Sequence, residues 1–202
     1  MSRRSDRQRQ ALDQRLGHVR VAMESVYHRH NVSAVLRTCE GMGIHHVHLV
    51  EGHFKPSRGP TRGAERWLAL HHHPSAEHAI AELRAAGFAI WVADFAEPPV
   101  PPEAVPLDRP VCLWFGAELV GVSPEARKAA DGVVTVPMWG LAQSLNVSVA
   151  CGMTVRAVAE RARLRGPQAM LSEAEKAATF AAWTARDADY RVAPDAEFTE
   201  AP

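Results

Sequence analysis

The stretch VCLWFGAELVGVSPEARKAADGVVTVPMWGLAQSLNVSVA, residues 111–150, decides the fold. It begins with five apolar residues, Val111–Phe115, which are typical of a buried strand, and a loop with two glycines follows them. Ser123 then precedes a proline and a polar segment, which indicates a capped helix. A second strand is predicted at residues 133–136, and a long helix from Ser144. Strands that alternate with helices in this way predict an α/β domain with a parallel sheet.

The same alternation is found outside this stretch. Further strands are predicted at residues 20–26, 44–50, 67–70 and 88–93, and further helices at residues 6–19, 31–43, 75–86 and 172–186. Asn31 is a favoured N-cap residue, and Gly41 or Gly43 would end its helix. Ser172 and Glu175 have the spacing of a capping box. The chain as a whole is therefore expected to form a mostly parallel sheet covered by helices.

The composition is that of a folded globular protein. Hydrophobic residues make up 47% of the 202 residues and charged residues 23%, which excludes a chain that is disordered throughout. No apolar run approaches the ~20 residues that a membrane-spanning helix needs, and no secretory signal is recognisable. The three cysteines are too few and too widely spaced for a disulfide framework. We therefore expect a cytoplasmic protein that does not bind a membrane.

Charge is unevenly distributed although the formal net charge is zero. Residues 1–37 carry eight arginines against three acidic residues, and residues 187–202 carry five acidic residues against one arginine. Because the arginine fork suits phosphate groups, the basic segment is compatible with nucleic-acid binding, and equally with a solvated surface. The acidic C-terminal stretch is predicted to be disordered.

Three loops at the predicted carboxyl ends of strands contain residues that could do chemistry, because ligands of open α/β sheets bind there. In residues 30–38 (HNVSAVLRT), a helix start offers free N–H groups to an anion. In residues 115–121 (FGAELVG), glycines permit close backbone approach to a ligand. In residues 136–148 (VPMWGLAQSLNVS), polar side chains open the long helix. Taken singly, each segment is also compatible with an ordinary capped helix or a common glycine turn.

Together and in this order, the three segments resemble the SpoU (TrmH) family of RNA ribose 2′-O-methyltransferases, over residues 20–163. NVSAVLRT and QSLNVSVA are especially similar to the TrmH branch, which methylates a D-loop guanosine of tRNA, at position 18 in tRNA numbering. The resemblance implies S-adenosylmethionine as cofactor, S-adenosylhomocysteine as product, tRNA as partner and a homodimer. It also implies a deep C-terminal trefoil knot, which general rules of chain topology would not predict.

The resemblance assigns roles to individual residues of this sequence. The residues implied in catalysis are Arg37, Asn31, Glu118, Ser144 and Asn146. The residues implied in cofactor binding, largely through backbone groups, are Ala93, Gly116, Val136, Met138 and Leu145. For RNA binding we add N-terminal arginines and a histidine beside the first motif: Arg3, Arg4, Arg7, Arg15 and His30.

Three regions are expected along the chain. Residues 1–18 are predicted to form a basic N-terminal helical extension, residues 19–165 the methyltransferase domain, and residues 166–202 a C-terminal helix with an acidic tail. The helix that starts at Ser144 is the candidate dimer interface, because it carries small apolar residues at positions 150, 152 and 157.

The chemistry requires that a ribose 2′-OH lose its proton as it attacks the methyl group of a sulfonium, so alignment and proton removal are the tasks of the enzyme. The resemblance suggests that Arg37 acts on this hydroxyl, as a base or as a positively charged clamp for phosphate and developing alkoxide. Guanidinium groups remain protonated in proteins, which disfavours the base. The sequence leaves both mechanisms open. It also leaves open an rRNA or another tRNA site as target, and a catalytically silent RNA-binding relative.

All eleven histidines lie between His18 and His78, with clusters at residues 45–48 and 71–73. Neighbouring residues of a strand point to opposite faces of the sheet, so neither cluster by itself has the geometry of a metal site. The sequence therefore predicts no bound metal.

Overall fold

The computed structural model of the chain describes residues 3–26, 28–51, 63–96, 98–117 and 120–189. The strands within these ranges are β1 (Val19–Glu24), β2 (His46–Val50), β3 (Ala69–His73), β4 (Ala89–Ala93), β5 (Val111–Phe115) and β6 (Gly132–Val134). The α-helices are α1 (Arg3–Asp13), α2 (Arg29–Gly41), α3 (Ala76–Ala85), α4 (Pro124–Ala129), α5 (Val147–Arg163) and α6 (Glu173–Asp189). None of these helices is long and apolar enough to cross a membrane.

The six strands form one sheet in the order β3-β2-β1-β5-β4-β6, and every neighbouring pair is parallel. The predicted parallel α/β fold is thus confirmed. Because all strands point the same way, all their carboxyl ends lie along one edge of the sheet. Strands β1 to β3 form one half of the strand order, and β4 to β6 form the other half.

Both faces of the sheet are buried, as is usual for parallel sheets. On one face, Val21 and Leu113 pack with apolar residues of α2 and α5. On the other face, Ala22 and Trp114 pack with residues of α3 and α4. The alternation of side chains along each strand distributes them between these two cores.

Several helix starts are where the sequence predicts them. The Ser123 hydroxyl accepts from the backbone N–H of Ala126 at 3.2 Å and caps α4. At the start of α6, the Ser172 hydroxyl accepts from the N–H of Glu175 at 3.3 Å, and Glu175 Oε2 accepts from the N–H of Ser172 at 2.9 Å. This reciprocal pair is the predicted capping box.

Three helix starts differ from the prediction. α1 begins at Arg3 instead of residue 6 and ends at Asp13, and the predicted caps of two other helices are displaced. Asn31 is not the N-cap of α2, because the carbonyl of His28 already accepts from the N–H of Asn31 at 2.9 Å, and the helix begins at Arg29. The long helix begins at Val147 instead of Ser144, since the side chain of Asn146 makes the capping bond. In both cases the helix lies in the predicted segment, but its N-cap is two or three residues away from the predicted one.

Arg15 was predicted to bind RNA, but the structure buries it. It is 2% exposed, and its guanidinium pairs with Glu40 Oε1 at 2.9 Å and donates to the carbonyls of Glu40 and Ile44. It also lies over the ring of Trp183, 5.7 Å from the centroid. Arg15 therefore joins the end of α1 to α2, to the entry of β2 and to α6. The adjacent Leu16 is fully buried.

His45 lies at the same junction and is 3% exposed. Its Nε2 is 3.2 Å from the Thr179 hydroxyl of α6. Burial, and next the positive charge of Arg15, lower the pKa of the His45 imidazole to about 4. The folded protein therefore holds this residue neutral across the pH range in which a histidine of the unfolded chain takes up a proton.

The free energy of unfolding should fall on acidification through this residue. Above pH ~6.5 His45 is neutral in both states. Between that pH and about 4 only the unfolded chain binds the proton, which lowers the stability by up to about 1.4 kcal/mol per pH unit. His45→Gln should remove this contribution, measured as a shallower loss of stability between pH 6 and 5 in urea unfolding. His72→Gln, at an exposed position, is the matched control. Equal slopes for wild type and His45→Gln would contradict the assignment.

Candidate active site

A cleft of about 360 Å³ lies at the carboxyl ends of β4, β5 and β6. The register places Ala93 opposite both Phe115 and Val134, so the three strands end side by side. The loops that follow these strands form the wall, together with the first two turns of α5. The cleft therefore occupies the edge of the sheet at which ligands of open α/β folds bind.

The loop after β5 folds back on itself directly after the strand. Ala117 and Gly121 exchange two backbone hydrogen bonds, of 3.0 and 2.8 Å, and Gly121 has a φ of 75°. A Cβ added to Gly116 would lie 2.1 Å from the carbonyl oxygen of Gly121. A side chain at position 116 would thus force this turn open. Glu118, the predicted acid of the motif, lies outside the described residues.

Asn146 connects the third motif to the first. Its Oδ1 accepts from the backbone N–H of Ser148 at 2.9 Å and from the Ser148 hydroxyl at 2.6 Å. Its Nδ2 donates to Oδ1 of Asn31 at 3.2 Å, across 115 positions of sequence. The first turn of α2 and the start of α5 thus meet at one pair of amide side chains beside the cleft.

The structure brings most of the candidate residues together. Those that line the cleft are Ala93, Gly116, Val136, Met138, Ser144, Leu145 and Asn146. Asn31 touches this group through Asn146. Arg37 does not line the cleft; it is exposed on α2, six residues after Asn31 and therefore about one and two-thirds turns away. All five cofactor candidates and three of the five catalytic candidates therefore lie at one place, whereas Arg37 lies elsewhere on the same helix as Asn31.

Sequence reasoning missed several residues of the wall. They are Asp94, Phe95, Thr135, Ala150 and Thr154. The first three directly follow the ends of β4 and β6, and that position is the signal that could have identified them. The last two face the cleft from α5 and are one helical turn apart. Which face of α5 they occupy can be predicted only when the start of that helix is known.

The wall is nearly free of charge. Among the described residues that line it, Asp94 is the one ionisable side chain, and it forms an ion pair with Arg127. The Thr135 hydroxyl donates to the carbonyl of Asp94 at 2.5 Å and joins the loops after β4 and β6. Since the lining offers no basic side chain, it is unsuited to a phosphate and suited to a small ligand with apolar parts and an uncharged or positive centre.

A comparison with protein families identifies the family of this chain. Residues 18–156 match the SpoU rRNA methylase family. This chain belongs to that family. The matched region contains all six strands and the first half of α5, so the whole wall of the cleft lies inside it.

This chain is also similar to individual RNA methyltransferases, in sequence and in structure. The tRNA (guanosine(18)-2′-O)-methyltransferase of Thermus thermophilus is 37% identical over 147 residues, which are 72% of this chain and 75% of that protein. The crystal structure of the Aquifex aeolicus TrmH/SpoU tRNA modifying enzyme has a TM-score of 0.83 at 31% identity, and covers 91% of this chain and 96% of that one. A 23S rRNA (guanosine-2′-O-)-methyltransferase of Nitrosomonas europaea is 30% identical over 138 residues, which are 66% of this chain and 52% of that protein.

Gly116→Ala should weaken binding of S-adenosylmethionine, the cofactor that the family resemblance implies. The added methyl group would overlap the Gly121 carbonyl, and an overpacking cost of about 1–3 kcal/mol in the bound state is a loss of about 5- to 150-fold in affinity. Isothermal titration of the folded variant would measure it. Gly41→Ala adds the same methyl group where nothing lies within 4 Å, so its affinity should match wild type. Wild-type affinity in Gly116→Ala would show that the turn does not shape the site.

Proposed function

We propose that this protein transfers a methyl group from S-adenosylmethionine to the ribose 2′-OH of a guanosine in the tRNA D-loop, position 18 in tRNA numbering, and releases S-adenosylhomocysteine. The observation that carries the proposal is the cleft at the ends of β4, β5 and β6, where the candidate cofactor residues converge. It is supported by relatives of comparable length that are named tRNA (guanosine(18)-2′-O)-methyltransferases. Such an enzyme acts in the cytoplasm, and the family implies that its C-terminal part is knotted.

The residues present fit the cofactor. A sulfonium is positively charged, and the lining places no basic group near it, while the strand-end loops offer backbone groups for a purine and a ribose. Apolar side chains such as Leu145, Val136 and Met138 suit the flat faces of a purine. When bound, the cofactor supplies an electrophilic methyl group. The task of the protein is to hold the acceptor hydroxyl in line with it.

The polar residues at the rim are placed to orient the acceptor nucleotide. Asn31 and Asn146 are hydrogen-bonded to each other beside the cleft, and Ser144 is an exposed part of the same wall. Arg37 is exposed on α2, and no carboxylate of the described residues forms an ion pair with it. Its guanidinium is thus open to a phosphate. We infer that it acts as a clamp for phosphate and developing alkoxide, because charge stabilisation requires no deprotonated guanidinium.

The main alternative is a target in rRNA or at another tRNA position. The Nitrosomonas europaea rRNA enzyme aligns over 52% of its length, whereas the Aquifex aeolicus tRNA enzyme aligns over 91%. The larger aligned share of the tRNA enzyme therefore favours tRNA as the substrate. A catalytically silent RNA-binding protein is disfavoured, because the polar pair of Asn31 and Asn146 and the strand-end cleft are both formed.

Methyl transfer from labelled S-adenosylmethionine into defined transcripts tests the proposal. A tRNA with a guanosine at position 18 should accept one methyl group, and the same tRNA with 2′-deoxyguanosine at that position should accept none. An rRNA fragment should remain unlabelled. Label in the rRNA fragment alone, or in the deoxy-substituted tRNA, would contradict the assigned target, and no label in any transcript would favour the silent relative.

Arg37→Ala should lower single-turnover methyl transfer by about 10²-fold or more, with cofactor affinity near wild type, because Arg37 lies outside the cleft wall. Arg37→Lys distinguishes the two mechanisms. Lysine keeps the charge and loses the bidentate fork, so a clamp should not recover at any pH. A base should recover as the pH approaches the pKa of lysine. Near wild-type transfer by Arg37→Ala would remove this residue from the mechanism.

We propose that the exposed basic residues Arg3, Arg4, Arg7 and His30 contact tRNA phosphates, without Arg15. The double variant Arg3→Gln/Arg7→Gln should bind tRNA more weakly and with a flatter dependence on salt, because fewer counterions are released. Filter binding across salt concentrations measures both. Arg3→Lys/Arg7→Lys keeps the charge and should keep the salt slope. An unchanged slope in the glutamine variant would place RNA binding elsewhere.

We propose that the protein is a homodimer whose interface includes α5 and the loop before it. Large apolar side chains are exposed there: Trp139 (93%), Leu141 (105%), Val149 (49%) and Met153 (50%). These four residues lie on α5 and on the loop before it, both of which contribute to the cleft wall, and so much exposed apolar surface on two neighbouring segments is a candidate interface patch. The predicted small residues of α5 are half-buried, and Val149 and Met153 form its outer stripe.

Met153→Glu should shift the protein from dimer to monomer in sedimentation velocity, because it places a charge in the centre of the apolar stripe. It should also lower methyl transfer, since the patch adjoins the cleft. Leu164→Glu, at a more exposed position after the end of α5, is the control and should remain dimeric. A wild type that is monomeric and fully active at assay concentration would exclude the dimer.

A further inference from the structure

Histidines of two strands meet on one face of the sheet, in the half that lies away from the cleft. β2 and β3 pair with His48 opposite His71. Because alternate residues share a face, His46, His48, His71 and His73 all point to the same side. His48 Nδ1 lies 2.8 Å from His73 Nε2, and His46 Nδ1 lies 2.9 Å from His71 Nε2.

A carboxylate from α3 reaches this group. Glu82 Oε2 is 3.8 Å from His73 Nδ1, and Glu82 Oε1 is 3.9 Å from His71 Nδ1. One possible ligand atom from each of His48, His73 and Glu82 lies within 4.8 Å of the other two. Three elements of the fold thus contribute donors to one place.

Two of the histidines in this group lie inside the protein. His48 is fully buried and His73 is 5% exposed. His48 Nε2 is buried with no hydrogen-bond partner among the described residues. A buried imidazole with one unpaired nitrogen is unfavourable unless a further interaction compensates for it.

We propose that His48, His73 and Glu82 bind one divalent metal ion of the zinc class, with solvent at the remaining coordination position. Imidazole nitrogen and carboxylate oxygen are the donors that zinc accepts in proteins, at about 2.0–2.2 Å, which brings ligand atoms to about 3.3 Å from one another. Both nitrogens of His73 have hydrogen-bond partners, His48 Nδ1 at 2.8 Å and His78 Nδ1 at 3.2 Å, so a bound ion would replace one of these contacts. The side chain of Glu82, 44% exposed, can close the remaining distance. Its exposure also gives the ion a path from solvent.

The charges around the group agree with a bound cation only in part. Arg20, whose guanidinium stacks on Phe88 at 4.3 Å, lowers the pKa of His48 and would weaken cation binding. Glu82 beside His73, and Glu175 at 3.6 Å from His46 Nε2, oppose this effect. Two carboxylates against one guanidinium leave the surroundings favourable to a divalent ion.

The bound ion would act as a clamp for the edge of the sheet. β3 is an edge strand and pairs with β2 alone. A metal ion held by His48, His73 and Glu82 joins this edge strand to β2 and to α3. The ion would therefore hold these elements together, at a place apart from the methyl-transfer cleft at β4 to β6.

The test uses the full chain without a histidine tag, stripped with a chelator and titrated with ZnCl₂ against a chromophoric chelator. Wild type should bind one equivalent, and Glu82→Gln and His73→Gln should bind at least tenfold more weakly. The matched controls are His72→Gln on the same strand and Glu77→Gln on the same helix, both exposed, and both should bind like wild type. Zinc at a concentration that saturates wild type should raise the melting temperature of wild type by several degrees and that of Glu82→Gln by less.

Cobalt provides a second readout, because tetrahedral Co²⁺ absorbs visible light when nitrogen and oxygen ligands surround it. If His73→Gln fails to fold, Glu82→Gln decides, since its side chain is half-exposed and its replacement leaves the core intact. Failure of stripped wild type to bind zinc would overturn the proposal, and so would equal affinity of wild type and Glu82→Gln. Loss of zinc binding in His72→Gln would show adventitious binding by surface imidazoles.

Discussion

The active-site edge depends on the parallel register of β4 with β5 and β6. Ala93 lies opposite Phe115 and Val134, so three loops that are distant in sequence begin side by side. A slip of one residue would turn the apolar side chains of each strand to the wrong face, and both cores oppose it. The turn that follows β5 at this edge brings the Gly121 carbonyl so close that position 116 must be glycine. Core packing thus sets the shape of the cleft.

The fold could be predicted where a pattern in neighbouring residues matches the burial or contacts of those residues in the structure. Val111–Phe115 is apolar throughout because both faces of the strand are buried, and its observed bounds are the predicted ones. Ser123 and Ser172 cap their helices by bonds to residues three positions away, which sequence spacing reveals. Arg15 shows the opposite case. It stands among exposed arginines, and its partner Glu40 is 25 positions away, so nothing local distinguishes it.

The same reasoning explains how far the site could be predicted. The cofactor candidates follow strand ends, and all five line the cleft. The contact of Asn31 with Asn146 crosses 115 positions and depends on the packing of α2 against α5, so only the structure reveals it. The histidines make the point most clearly. Alternation excludes a metal site within either cluster, but the pairing of His48 with His71 depends on strand register, which no single segment encodes.

The distribution of charge separates two tasks of one enzyme. Among the described residues, the cleft wall is almost without charge, whereas Arg37, which forms no ion pair with a described carboxylate, is exposed outside it on α2. An arginine inside the wall would repel a sulfonium, and a carboxylate at the rim would repel the phosphates of RNA. The link between the two zones is neutral, because the amides of Asn31 and Asn146 hydrogen-bond without charge. In the proposed mechanism, a nucleotide held at Arg37 by its phosphate extends its ribose past these amides toward the methyl donor, without bringing a net charge into the cleft.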